Sequence, residues 1–287
     1  MKTFWKVIIA LGFAACITLT IALVYLLATN LELNNLPIIG QKVAIIPIKG
    51  EITLEGCSGG ILTAGPDCAN VAAIKESLKA ADRDDSIRAI VLDINSGGGG
   101  VVPSRELAYA VKDVKKPVVA CISEEGASGA YYVASAADRI VADRDSITGS
   151  IGVIMTIQQV YGLYKKLGIN VTTIKSGKVK DIGSPYRPMT DEERKDLTDI
   201  VDEIYADFVS DVAVNRNLSY EYVESISDGS IYLGRDAKNL GLVDSLGNLD
   251  DAVNIASELG NISGEPSLEK ASPKTFSIWD YLSGAKN

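Results

Sequence analysis

The sequence predicts an α/β protein with a mostly parallel sheet, preceded by one apolar N-terminal helix, and three observations carry that expectation. Beyond residue 42, short apolar runs alternate with amphipathic stretches. The stretches between strand-like runs are long enough for right-handed βαβ crossovers, which need roughly ten residues or more. Ahead of them lies an apolar run from Val7 to Thr29, with no charged residue between Lys6 and Glu32.

The first element is that run. An apolar stretch of roughly 20 residues spans a bilayer as a helix. Lys2 and Lys6 precede it, with Trp5 at the headgroup level, so the positive-inside tendency leaves the N-terminus in the cytoplasm and the chain after residue 30 outside. A cleaved signal would have a shorter core and small residues at the cut, which Ala28-Thr29-Asn30 does not supply. Lipoprotein-type cleavage at Cys16 would require the chain to turn polar soon afterwards, and it stays apolar. The expected organisation is a cytoplasmic tip and anchor over 1–30, a linker over 31–42, one folded domain over 43–263, and a mobile tail over 264–287.

Within the domain, 43–48 reads as a strand and 71–81 as a helix with Val71, Ile74, Leu78 and Ala81 on one face. Strands follow at 89–94 and 117–122, with a helix over 101–114 between them. A helix from about 128 to 137 precedes strand material at 140–142 and in the stretch ending at Ile154. A helix over 158–167 leads to a strand at 171–174. The long helix 190–216 begins with a capping box, Thr190 with Glu193 three residues on.

Composition excludes more than it proposes. The 287 residues include no histidine, which rules out Ser-His-Asp and Cys-His catalysis and zinc sites built on imidazole. A hydrolase of this composition must take its base from lysine, a carboxylate or the N-terminal amine. The formal net charge of −9 argues against a nucleic-acid partner. Cys57 and Cys68 flank a Gly/Pro-bearing loop and could pair outside the cell, whereas Cys121 ends an apolar run and is expected to be buried and inert.

Three glycine-bounded segments could carry chemistry. Asp93-Ile94-Asn95-Ser96 runs into Gly97-Gly98-Gly99-Gly100, where backbone N–H groups can approach an anion; the spacing fits neither a P-loop nor a dinucleotide fingerprint. Ser128 stands between Ala127 and Gly129 at a helix entry, where it can present a nucleophilic hydroxyl or simply cap the helix. The third segment, 175–185, holds Lys175, Lys178 and Lys180. A lysine serves as a base only when neutral, which requires burial to lower its pKa from about 10.4, and spacing does not choose among the three.

Together these segments resemble the signal peptide peptidase A family of serine proteases. The likeness rests on Ile94-Asn95-Ser96 with its glycines, Ala127-Ser128-Gly129-Ala130-Tyr131-Tyr132, Thr148-Gly149-Ser150-Ile151-Gly152-Val153, the run Lys180-Asp181-Ile182-Gly183-Ser184-Pro185-Tyr186-Arg187-Pro188-Met189-Thr190, and Gly241-Leu242-Val243-Asp244. It runs from about Val43 to Ala256. The resemblance implies a crotonase/ClpP-like fold of repeated ββα units, and a peptidase with Ser128 as nucleophile, Lys180 as base and Ser150 orienting the lysine. It also implies oxyanion donors at Gly129 and at Gly98 or Gly99, no cofactor and no metal. Its expected partners are signal peptides or other small apolar peptides as substrates, membrane lipid around the anchor, and further copies of the chain in a ring with sites between subunits. One departure stands out: Gly97 occupies the place where the family usually has proline after Asn-Ser. The rival readings are an enoyl-CoA hydratase-like enzyme, which would want a carboxylate pair and a cytosolic location, and an inactive oligomeric membrane scaffold.

Overall fold

The computed structural model describes residues 16–25, 41–55 and 68–271. Residues 16–25 form a helix, α1, whose side chains are exposed. Among the described residues no helix is long and apolar enough to cross a membrane. Most of the expected anchor and the whole of the linker up to residue 40 lie outside the described residues, as does Cys57.

The domain is a parallel sheet between two helical layers. Strands β1 (Lys42–Lys49), β4 (Ile87–Ser96), β5 (Val118–Ala127) and β6 (Arg139–Ala142) form its centre. The edges are β9 (Ser245–Leu246) beside β6 and β10 (Ser267–Lys270) beside β1. A short branch, β7 (Ile147–Gly149), pairs parallel with the end of β5 and antiparallel with β8 (Ile231–Leu233). Strands β2 (Glu51–Thr53) and β3 (Cys68–Asn70) make a separate parallel pair.

Alternation along the strands explains the layers, because successive side chains point to opposite faces. Ala44, Ile46 and Ile48 of β1, with Ile90, Leu92 and Ile94 of β4, pack toward α2 (Val71–Arg83), α3 (Val101–Lys112), α4 (Gly129–Ser135) and α6 (Asp191–Arg216). Val43, Ile45, Ala89 and Val91 face α9 (Leu249–Leu259) through Ala252, Val253 and Ala256. Each fully buried Ile or Leu contributes roughly 1.5–3 kcal/mol to such a core. Cys121 belongs to the α9 layer, and burial pushes its thiol up to about 12, which keeps it unreactive.

Helix α6 begins as the sequence predicts: Thr190 and Glu193 form a reciprocal capping box. Its second half is anchored in the core by Phe208, Val209, Val212 and Ala213. At its end Arg216 pairs with Asp244 at 2.8 Å, and Asp244 also accepts from the Ile140 N–H of β6 at 2.7 Å.

The structure departs from the sequence expectations in four places. Residues 171–174 form no strand; they are exposed and find no ladder partner among the described residues. The helix expected over 158–167 shrinks to α5 (Tyr161–Lys166). The strand material expected up to Ile154 ends at Gly149, and Ile154 is 90% exposed. The tail expected from Gly264 contributes β10, which pairs with Lys42–Ile45 of β1. Apolar or polar composition set these readings, whereas pairing depends on which edge lies within reach.

Candidate active site

Ligands in open α/β sheets bind beyond the carboxyl ends of parallel strands. Here the register gathers three such ends. Ser96 of β4 pairs with Gly126 of β5, and Ala127 of β5 pairs with Gly149 of β7. Gly97, Ser128 and Ser150 each leave the sheet one residue beyond these pairs. Segments more than 50 residues apart in sequence, as Gly97 and Ser150 are, therefore share one edge.

Ser128 has φ 52° and ψ −124°, and Ser150 has φ 50°. Non-glycine residues in such conformations carry a strain of order 1–3 kcal/mol, which surrounding hydrogen bonds must hold in place. The Ser128 N–H donates to the Gly149 carbonyl at 2.8 Å, and the Ser150 N–H donates to the Ser230 carbonyl at 2.8 Å. Although Ser128 precedes α4, its side chain makes no capping bond. Capping, the plain alternative for a serine at a helix entry, is therefore not its use here, and the hydroxyl is left for the cavity.

The glycine loop is held by its own neighbours. Ile52 of β2 donates to the Gly98 carbonyl at 2.9 Å and accepts from the Gly100 N–H at 3.2 Å. The Gly98 N–H is taken by Ser96 Oγ at 3.1 Å. Gly99 carries no backbone hydrogen bond from its N–H among the described residues, and neither does Gly129. A methyl group on Gly129 would lie 3.2 Å from the Gly99 nitrogen and 2.2 Å from Ser104 Oγ. Thus only glycine fits at 129, and both residues with an unused N–H line the same cavity. Of the pair Gly98 and Gly99, the N–H left open is that of Gly99.

At Gly97 the nearest atoms to an added Cβ are those of the Glu125 carboxylate, from 3.1 Å. The room that proline would fill is thus bordered by the end of a flexible side chain.

Gly99, Ser128, Gly129 and Ser150 line a cavity of about 470 Å³. Its walls include Tyr132, Val153, Tyr205 and Phe208. The Tyr132 ring stacks on Phe208 with centroids 4.6 Å apart, and its hydroxyl donates to Asp211. Burial, followed by the Asp211 carboxylate, pushes the Tyr132 phenol far up, so it stays protonated. The wall aromatics escape sequence reasoning apart from Tyr132, because Tyr205 and Phe208 sit in a helix whose pattern reads simply as amphipathic.

Lys180 is not part of that cavity. It is exposed, and its ammonium has no hydrogen-bond or ion-pair partner among the described residues. It stands on consecutive turns, Lys180 N to Gly177 O and Ile182 N to Val179 O. Lys175 and Lys178 are engaged elsewhere, with Asp181 and Glu192 respectively. The geometry thus separates the three lysines that spacing left equivalent. No group of three or more metal-ligating side chains occurs among the described residues.

Comparison with known proteins bears on the whole arrangement. The sequence profile of peptidase family S49 matches residues 110–263, a range that holds Ser128, Ser150 and Lys180 but begins after the glycine loop. A candidate protease of Methanocaldococcus jannaschii is 51% identical over 190 residues, covering 66% of this chain and 61% of that protein. A candidate signal peptide peptidase SppA of Enterococcus faecium is 38% identical, covering 61% of this chain and 52% of that protein. The matches therefore span between half and two thirds of these relatives' lengths. Among solved structures, the 1510-N membrane-bound stomatin-specific protease with a serine-to-alanine substitution superposes with a TM-score of 0.52 at 13% identity, covering 82% of this chain and 99% of that one. That likeness shows the fold alone.

Proposed function

The chain belongs to peptidase family S49, and from that premise we propose that it is a serine endopeptidase with Ser128 as nucleophile and Lys180 as general base, the two supplied by neighbouring subunits of a homo-oligomer. One observation carries this reading. Ser128 is strained, uncapped and shares with Gly99 and Gly129, whose N–H groups are open, a cavity that no lysine lines, while Lys180 stands exposed and unpaired among the described residues on a separate arm. A second copy could bring the amine to the hydroxyl.

Neutral Lys180 takes the proton from Ser128 Oγ, which attacks the peptide carbonyl. The Gly99 and Gly129 N–H groups receive the developing oxyanion; donors of this kind are worth roughly 10²–10³-fold in rate. Lys180 then protonates the leaving amine, and water releases the acyl group by the reverse path. Ser150, emerging beside Ser128, orients the amine.

The same proposal takes residues 7–29 as a membrane anchor, with the domain outside the cytoplasm and the fold as crotonase/ClpP-like. Small extended apolar peptides, signal-peptide remnants among them, are the proposed substrates. The likeness to the candidate signal peptide peptidase of Enterococcus faecium and the aromatic wall of the cavity support that class.

The test is hydrolysis of a fluorogenic apolar peptide by the full chain in detergent. Ser128→Ala and Lys180→Ala are each expected to be silent, and mixing the two is expected to restore part of the activity. Activity in either single variant would reassign that role. A silent mixture of subunits shown to exchange would put both groups in one subunit.

A further inference from the structure

We propose that Arg187 is a positioning residue for the base: it keeps the carboxylate of Asp181, the residue next in sequence to Lys180, turned away from the Lys180 ammonium and fixes the turn on which Lys180 stands. The inference rests on reading Lys180 as the base.

The guanidinium is fully engaged. Its Nε donates to Asp181 Oδ2 at 3.0 Å, and its Nη2 donates to Asp181 Oδ1 at 2.7 Å and to the Asp181 carbonyl at 3.2 Å. On the other side Nη1 donates to Glu193 Oε2 at 2.8 Å and to the Pro188 carbonyl at 3.1 Å, while Nη2 reaches Glu193 Oε1. Glu193 is 4% exposed and closes the capping box of α6. A continuous path thus runs from the core-anchored helix through Glu193, Arg187 and Asp181 to the residue beside Lys180.

Exposed ion pairs seldom matter much, with a median of about 0–1 kcal/mol. This one is bidentate on two carboxylates that are largely shielded, a geometry that the fork of arginine can make and lysine cannot.

The chemistry explains why such a clamp is needed. Arg187 and then Lys175 hold Asp181 well below the usual carboxylate range, so the residue that follows Lys180 in the chain stays an anion, with its carboxylate turned to Arg187 and Lys175. An anion beside an ammonium favours the charged form, the opposite of what a general base requires. The clamp offsets that charge and aims it elsewhere. Of the other ionisable groups on the same segment and its neighbours, Lys175 pairs with Asp181, Lys178 pairs with Glu192 of α6, and Tyr164 of α5 packs on Tyr186 with centroids 5.4 Å apart.

The test is the pH–activity profile of the detergent-solubilised full chain on the same peptide. Arg187→Met is expected to lose roughly tenfold near neutral pH, with the rising limb displaced by about one pH unit toward alkali, the size of a single ion-pair effect. Arg187→Lys should fall between the two. Adding Asp181→Asn to Arg187→Met should return the limb to the wild-type position. An unmoved limb in Arg187→Met, or a limb that stays displaced in the double variant, overturns the proposal. Should Arg187→Met fail to assemble, Arg187→Lys with and without Asp181→Asn decides in the same way. Activity in Lys180→Ala would instead overturn the assignment of the base, an outcome separate from either.

Discussion

The floor around Ser128 and the arm around Lys180 are built by opposite means. The floor consists of strand ends with close backbone packing and no charged group among Gly99, Ser128, Gly129 and Ser150. The arm, from about residue 154 to residue 190, is mostly exposed and owes its shape to turns and to the Asp181–Arg187–Glu193 cluster. A nucleophile needs one fixed, strained conformation, which only a packed interior enforces. A base that must meet it from outside needs reach, and charge pairs can hold a shape where there is no core to do so.

The sharpest way to probe that difference is to make the same substitution in both regions. Gly129→Ala would place a methyl 2.2 Å from Ser104 Oγ, whereas an added Cβ at Gly177 meets nothing within 4 Å. Gly129→Ala is expected to lose about 10²-fold or more in activity by displacing an oxyanion donor, and about 1–3 kcal/mol in stability from overpacking. Gly177→Ala should stay within about twofold, as expected for a surface change without steric conflict. Steady-state rates and thermal melts of the two variants check this. Equal losses would mean that the arm is as tightly packed as the floor.

Acid should separate the regions next. Arg187 holds both Asp181 and Glu193 low, Glu193 to about 2 from an ordinary value of 4.5. Folded values below the unfolded ones mean that the stabilisation is complete above about pH 4.5 and fades as pH falls through the folded value. The arm and the first turn of α6 should therefore gain hydrogen exchange below that pH, while Gly99, Ser128 and Gly129, which carry no titrating side chain, keep their protection; Asp228 at the cavity rim, held low by Ser230, is the one part of the floor expected to respond. Simultaneous loss at both places would show that the cluster does not act locally.

Much of the floor was legible beforehand, and the reasons are physical. Strands β1, β4 and β6 are continuous apolar runs, because parallel strands are buried on both faces. Strand β5 runs on through Ser123, Glu124 and Glu125, whose polarity hid its last turn toward Ser128. The arm misled the reading because 171–174, Val-Thr-Thr-Ile, is β-branched like a strand yet joins no edge among the described residues. Residues 181 and 187 lie in turns and 193 in the first turn of α6, so they share no single element whose periodicity could mark the clamp. Glu193 was found only in its capping role, which is half of what it does.

The smallest effect is expected at Gly97. Proline there follows an extended residue and first meets the Glu125 carboxylate, the end of a flexible side chain, so Gly97→Pro should leave activity within about twofold and raise stability by roughly 0.4–1 kcal/mol. A large loss would show that the oxyanion loop depends on freedom at that position.

Helix α6 ties the two regions together in a way that matters for anyone altering the enzyme. Val201, Tyr205 and Phe208 on its middle turns face the Ser128 cavity, while Glu193 on its first turn grips the clamp below Lys180. Its 26 residues make a rod about 39 Å long at 1.5 Å per residue. If Lys180 is the base, the cavity wall and the seat of the base are therefore carried by one helix. A change of backbone at either end of α6 would then be felt at both.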